Sequence, residues 1–235
     1  MLVQLNRNEV QIWIVNLDKI LEPNIYYNLL DEQEKFRASQ FAFDYLKKQY
    51  VVTRGILRRL LTQYLSIKND QIYFRYGSWG KPYIDNGESL QFNLSHSGNM
   101  VVYGFAKLME IGIDIELIKE NFICAEVEEY IFSNLEKKTY TTIKSSSKKR
   151  AFYNAWACKE AILKALGTGF YISPNEVEIP FNPLEYPKFV NIKDNQFCIH
   201  KVDIGYKEYV GAVAIASPSF NIKMYEYDEK QHLSY

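Results

Sequence analysis

Two helical stretches constrain this chain more than any other feature, because their apolar residues fall at the same places. In "LKKQYVVTRGILRRLLTQYL" the run from Arg54 to Leu60 matches the run from Glu160 to Leu166 in "KKRAFYNAWACKEAILKAL", position by position in its apolar pattern, and Tyr50 falls opposite Trp156. Amphipathic helices also resemble one another by chance, so the strands around them carry the argument. "VQIWIVNL" precedes the first helix as "IGIDIELI" precedes the second. "QIYFR" and "EVEI" follow them, and each series reaches a glycine-containing strand, "VVYGFA" or "YVGAVAIA". This order predicts an α+β fold of two related halves in a pseudo-two-fold arrangement, residues 1–108 and 109–235, each a small, largely antiparallel sheet packed with a long helix. No Pro/Gly/Ser-rich linker divides them, so they are expected to pack as one body.

Composition narrows the classes of function. With 235 residues, 47% of them hydrophobic and 24% charged, the chain can bury one large core or two small ones. Its 28 basic and 28 acidic residues cancel, which leaves no electrostatic footprint for nucleic acid, and any anion site must be local. Three cysteines, Cys124, Cys158 and Cys198, show no C-x-x-C spacing, which points to a reducing, cytoplasmic setting. The N-terminal "MLVQLNRNEVQIWIV" lacks the marks of a secretion signal, and no run reaches the ~20 apolar residues of a membrane span, so a soluble protein with no membrane partner is expected.

Chemistry-bearing residues collect in three places. In "GIDIE", Asp114 and Glu116 share one face of a strand while Ile113 and Ile115 point to the other. Alone, that pattern also fits an ordinary strand with one wet face. Trp156, Glu160 and Lys164 lie one turn apart along a single helix stripe, and Cys158 should face away from it and pack. In the first half, Lys81 sits in the loop "WGKPY" ahead of Pro82, while Ser95 and His96 end a strand in "FNLSHSG" and can each donate to a phosphate oxygen.

The ordered set "GKP", "FNLSHSG", "GIDIE" and "WACKEAILKALGTG" resembles the 4′-phosphopantetheinyl transferases of the type that activates surfactin synthetase. The likeness runs from about Val10 to about Ala216 and includes "DEQEKFRASQF" upstream. It implies transfer of the phosphopantetheine arm of coenzyme A to a serine hydroxyl of an acyl or peptidyl carrier protein, releasing adenosine 3′,5′-bisphosphate. It implies Mg²⁺ held by Asp114, Glu116 and Glu160, and coenzyme A contacts from Arg37, Lys81, Pro82, Ser95, His96 and Lys164. Some relatives carry a further basic residue three positions before Arg37, where this chain has Glu34. Glu160, Lys164 and His96 are the expected catalytic residues, with Glu160 or a metal-bound water as the base for the incoming serine. A monomer can complete such a site. The alternative is a coenzyme A- or nucleotide-binding module of the same fold without turnover. The segment "ENFICAEVEEYIFSN", with Phe122, Ile123, Tyr130, Ile131 and Phe132, is a candidate either for carrier docking or for the core.

Overall fold

The computed structural model describes residues 4–84, 90–120, 125–181, 186–192 and 194–232. In chain order the elements of the first half are β1 (Glu9–Asn16), α1 (Pro23–Tyr27), α2 (Glu32–Ser39), α3 (Asp44–Leu65), β2 (Phe74–Tyr76), β3 (Pro82–Ile84), β4 (Leu90–Ser97) and β5 (Met100–Lys107). They continue with β6 (Ile111–Leu117), α4 (Ala125–Ile131), α5 (Asn134–Thr142), α6 (Ser145–Leu166), β7 (Lys188–Ile192), β8 (Asn195–Val202), β9 (Tyr209–Ile215), β10 (Asn221–Glu226) and α7 (Glu229–His232).

Two four-stranded sheets form, ordered β10-β1-β5-β4 and β6-β9-β8-β7. The run β1-β5-β4 matches β6-β9-β8 strand for strand, antiparallel throughout, so the two related halves expected from the sequence are present. One strand crosses between them: β10 follows the second half in sequence yet pairs with β1, in parallel. The Tyr227 N–H extends this link by donating to Ile14 O at 2.9 Å.

Three apolar clusters explain the layering. α3 packs on Trp13, Val101, Tyr103 and Phe105 of the first sheet, and α6 packs on Phe197, Ile199, Ala212 and Ala214 of the second. The opposite faces meet each other through Val10, Ile12, Ile14, Val102, Ile113, Ile115 and Val213. Strand alternation makes this possible, because β1 and β6 send every second side chain to the helix and the others to the shared core. On β6 the helix side carries Gly112, Asp114 and Glu116. Gly112 is required there: a Cβ would lie 2.0 Å from Ala161 O and 2.3 Å from Ala165 N, both on the α6 backbone. α6 ends at Gly167, whose left-handed φ of 68° lets its N–H reach back to Leu163 O and Lys164 O.

Two expected strands differ. Residues 175–180 form no strand; a short 3₁₀ turn occupies Pro174–Glu176. The buried Lys159 ammonium donates to Pro174 O and Val177 O, and Glu136 accepts from the Ile179 N–H, so the backbone groups that a ladder would pair are already taken. The strand expected at 71–76 shortens to β2, which pairs with β3 in a segment whose sequence reads as turn.

Candidate active site

The edge strands β4 and β6 run side by side where the halves meet, and polar side chains bridge them at every second residue of β4. Asn93 Oδ1 accepts from the Ile113 N–H at 3.0 Å, Ser95 Oγ donates to Asp114 Oδ1 at 2.7 Å, and Ser97 Oγ donates to Glu116 Oε2 at 2.9 Å while accepting from the Leu117 N–H at 3.0 Å. Asp114 is buried, not facing water as a half-exposed strand would place it. α6 covers it, and Lys164 Nζ lies 2.6 Å from Asp114 Oδ1 and 2.9 Å from Ser95 Oγ, which closes a three-membered cluster from both halves. One turn and two turns earlier on α6 come Glu160 and Trp156. The indole N–H of Trp156 donates to Glu116 Oε1 at 2.9 Å.

The electrostatics of this seam are those of crowded acids. Burial raises the Glu160 pKa to about 7, Asp114 and Glu116 add to the rise, and Lys164 opposes it. Glu116 is raised too, first by burial and then by Asp114. Asp114 Oδ2 and Glu160 Oε1 are buried without a hydrogen-bond partner. Orphaned carboxylate oxygens near one another are acceptors of the kind that a hard divalent cation takes. Among the described residues, no group of three or more His, Cys, Asp or Glu side chains is already drawn together as a metal cage. The fit therefore rests on the two orphaned oxygens and the mutual repulsion of the acids.

The remaining expected residues lie at varying distance from this cluster. His96 follows Ser95 on β4 and points to the other, exposed side; partial burial of its ring lowers its pKa, and the Lys164 ammonium lowers it further against the pull of Asp114. Lys81 reaches the end of α6, donating to Ala165 O at 2.9 Å and to Glu110 Oε2 at 2.6 Å, so it spans the halves one residue from Lys164. Pro82 opens β3. Arg37 is exposed on α2, its guanidinium carbon 5.6 Å from the Tyr50 ring centroid, and among the described residues no hydrogen bond or ion pair joins it to the cluster. Cys158 is buried, as its place on the helix required. Ile131 and Phe132 belong to the core beneath α6 and Tyr130 is exposed, whereas Phe122 and Ile123 lie outside the described residues.

Sequence reasoning missed Asn93 and Ser97, and it put Trp156 on the stripe without its partner. The signal was there: "NLSHS" alternates small polar residues on one face of a strand that has every reason to be buried.

The buried Asp114 and the half-buried Glu116, Glu160 and Lys164 lie where two matched halves meet, and this seam is the candidate site. Comparison with known proteins gives its family. The family model described as 4′-phosphopantetheinyl transferase superfamily matches residues 110–214, and the one described as 4′-phosphopantetheinyl transferase, N-terminal, matches residues 22–106. The 4′-phosphopantetheinyl transferase HetI of Nostoc sp. is 33% identical over 188 residues, covering 77% of this chain and 78% of that protein. The 4′-phosphopantetheinyl transferase gsp of Aneurinibacillus migulanus is 32% identical over 154 residues, 65% of this chain and 63% of its own. The chain belongs to the 4′-phosphopantetheinyl transferase superfamily. It is an enzyme that transfers phosphopantetheine from coenzyme A to carrier proteins.

Proposed function

We propose that the transfer takes place at the β4–β6 seam, where the serine hydroxyl of an apo acyl or peptidyl carrier protein attacks the pantetheine-side phosphorus of coenzyme A. The new bond is serine oxygen to phosphorus. The bond that breaks joins that phosphorus to the oxygen of the leaving adenosine 3′,5′-bisphosphate. The observation that carries this reading is the cluster of Asp114, Ser95 and Lys164, drawn from both halves, beside two carboxylate oxygens that no hydrogen bond satisfies.

Each side chain has a defined task. Asp114, Glu116 and Glu160 would hold Mg²⁺, and their oxygen-only donor set suits it. When bound, the ion supplies neutralisation of the pyrophosphate charge. Lys164 brings a cation to the same phosphates, held in place by Ser95 and Asp114, and His96, exposed on the other face of β4, is the proposed donor to a further phosphate oxygen. Glu160, one turn from Lys164 on α6, takes the proton of the attacking serine. Lys81 and Pro82 line the approach from the first half, and Arg37 serves the nucleotide end of a long substrate. Both halves of the site come from one chain, so a monomer suffices. Buried free thiols at Cys158 and Cys198 suit a reducing cytoplasm, and among the described residues no helix is long and apolar enough to cross a membrane.

Incubation of the enzyme with coenzyme A, Mg²⁺ and an apo carrier protein, followed by intact mass measurement, tests the reading. Gain of one phosphopantetheinyl group on the wild-type reaction, and its loss with Asp114→Ala, is the expected result. Undiminished transfer by Asp114→Ala would move the chemistry away from the seam.

A further inference from the structure

On the other flank of α6 a groove of about 740 Å³ opens between its first turns, the end of α5 and the β8–β9 side of the second sheet. Its floor is apolar, made by Ile143, Ala151, Phe181 and Val210, and two cations, Arg150 and Lys201, stand over it. Register places Lys201 opposite Ala212 and Ala212 opposite Asp114, so Lys201 shares the sheet face of Asp114 but lies roughly 10 Å away, two strand spacings across. α6 separates the two sites.

Of the two cations, Arg150 is exposed and Lys201 is not. Lys201 is half-buried, with its ammonium 4.4 Å from the Tyr186 ring centroid. Its pKa lies below the ordinary lysine value, chiefly through burial, with Arg150 adding in the same sense and Cys158 opposing. Arg150 is fixed by two backbone carbonyls, Lys207 O at 2.7 Å and Tyr209 O at 3.3 Å, which hold its guanidinium without neutralising it. Asp203 stands at the mouth, but its Oδ1 accepts from the Gly205 N–H. Among the described residues neither cation has a carboxylate within ion-pair distance. Elsewhere in this molecule buried or half-buried cations are matched: Arg54 and Arg58 by Glu34, Lys159 by Glu136, and the half-buried Lys164 by Asp114. Two cations without a carboxylate partner on one groove attract an anion locally, and the half-buried Lys201 gains most from one. Ser147 and Asn154 add further donors beside Arg150.

We propose that this groove binds a small organic anion, a phosphate or carboxylate carried on an apolar body, with its charged oxygens between Arg150 and Lys201 and its body on Ile143, Ala151, Phe181 and Val210. The site is separate from the transfer site, so ligand binding there does not require that coenzyme A be absent.

Calorimetric titration of the full chain at low ionic strength, with saturating coenzyme A present and no carrier, tests this with phenyl phosphate, benzoate and uncharged phenol as probes. Phenyl phosphate or benzoate is expected to bind and phenol is not; the stronger of the two anions identifies the charged group preferred. Lys201→Met and Arg150→Gln should each weaken anion binding at least tenfold and leave the transfer rate unchanged. Arg150 is at the surface, so its variant keeps the test open should the change at Lys201 disturb folding. Binding of phenol as tight as that of the anions, anion affinity unchanged in Arg150→Gln, or no anion binding at all would overturn the proposal.

Discussion

Lys164 and Asp114, fifty positions apart in sequence, meet at 2.6 Å with Ser95 hydrogen-bonded to both. The pair joins the helix of one half to the edge strand of the same half, and the serine brings in the other half. Removing the cation leaves a buried carboxylate beside two further acids. Lys164→Met should therefore lower kcat by about 100-fold or more, the cost typical of deleting one positioned transition-state donor. Lys164→Arg should restore part of the loss. Steady-state kinetics on an apo carrier decide it; a loss confined to the KM for coenzyme A would make Lys164 a binding group only.

Ser97 is expected to act through Glu116. Its hydroxyl donates to the Glu116 carboxylate and accepts from the Leu117 N–H, which fixes one acid at the edge of the seam. In Ser97→Ala the Mg²⁺ concentration for half-maximal activity should rise by about tenfold, in line with the effect of losing an outer partner of a metal ligand. The KM for coenzyme A should hardly change, and Ser97→Thr should behave as wild type. Direct titration with Mn²⁺ followed by electron paramagnetic resonance gives the same answer without turnover; equal Mn²⁺ affinity in Ser97→Ala would remove the assignment.

Much of this was legible in the sequence because it depends on local periodicity. Period-two alternation placed Asp114 and Glu116 on one face, and the 3.6-residue repeat placed Trp156, Glu160 and Lys164 on another. What periodicity cannot give is which surfaces meet. The burial of Asp114 follows from α6 lying across β6, and the partner of Trp156 follows from the same contact. Residues 175–180 illustrate the limit from the other side: their alternation suggests a strand, but Lys159 and Glu136, distant in sequence, claim their backbone groups. The pairing of β10 with β1 is likewise a long-range choice with no local signature.

Gly112 sets the distance between β6 and α6. Gly112→Ala would drive a methyl group into the backbone at Ala161 and Ala165, where no flexible side chain can yield. A loss of about 1–3 kcal/mol or more in stability follows from such overpacking. Because the helix must lift, Glu160 and Lys164 move away from Asp114, and activity should fall further than the folded fraction measured by urea unfolding. Activity that tracks the folded fraction alone would show that the seam tolerates the shift.

In the first half, the positions matching Glu160 and Lys164 are Arg54 and Arg58, and they serve the fold. Glu34 caps α2 through Asp31 and is itself buried between the two arginines, with Arg58 almost fully enclosed. The acid that stands where some relatives carry a base is thus a structural counter-ion. Glu34→Ala leaves two guanidinium groups without it and should cost about 3–5 kcal/mol, the penalty for breaking one side of a buried ion pair. Asp31 retains contact with Arg58 and limits the loss. Chemical denaturation measures it, and a change under about 1 kcal/mol would mean that water reaches the arginines readily.

The crossing of β10 makes the first half dependent on the end of the chain. β10 covers one edge of β1 along six paired residues, Tyr227 meets Tyr26 hydroxyl to hydroxyl at 3.3 Å, and Glu229 accepts from the Leu21 N–H at 2.9 Å. Deleting residues 218–235 would open the β1 edge, strip Trp13 of its stacked partner Tyr225 and leave the α1 region without its anchor. The seam lies at the opposite edge of that sheet, where Ser95 on β4 meets Asp114 on β6 and Lys164 on α6. The truncated chain should accordingly lose amide-exchange protection first in β1 and around Tyr26, while β6 and α6 remain protected. Its affinity for coenzyme A should fall as the first sheet loosens, since Lys81, Ser95 and His96 all belong to that half. Exchange protection lost equally in both sheets would instead show that the two halves unfold as a single cooperative unit.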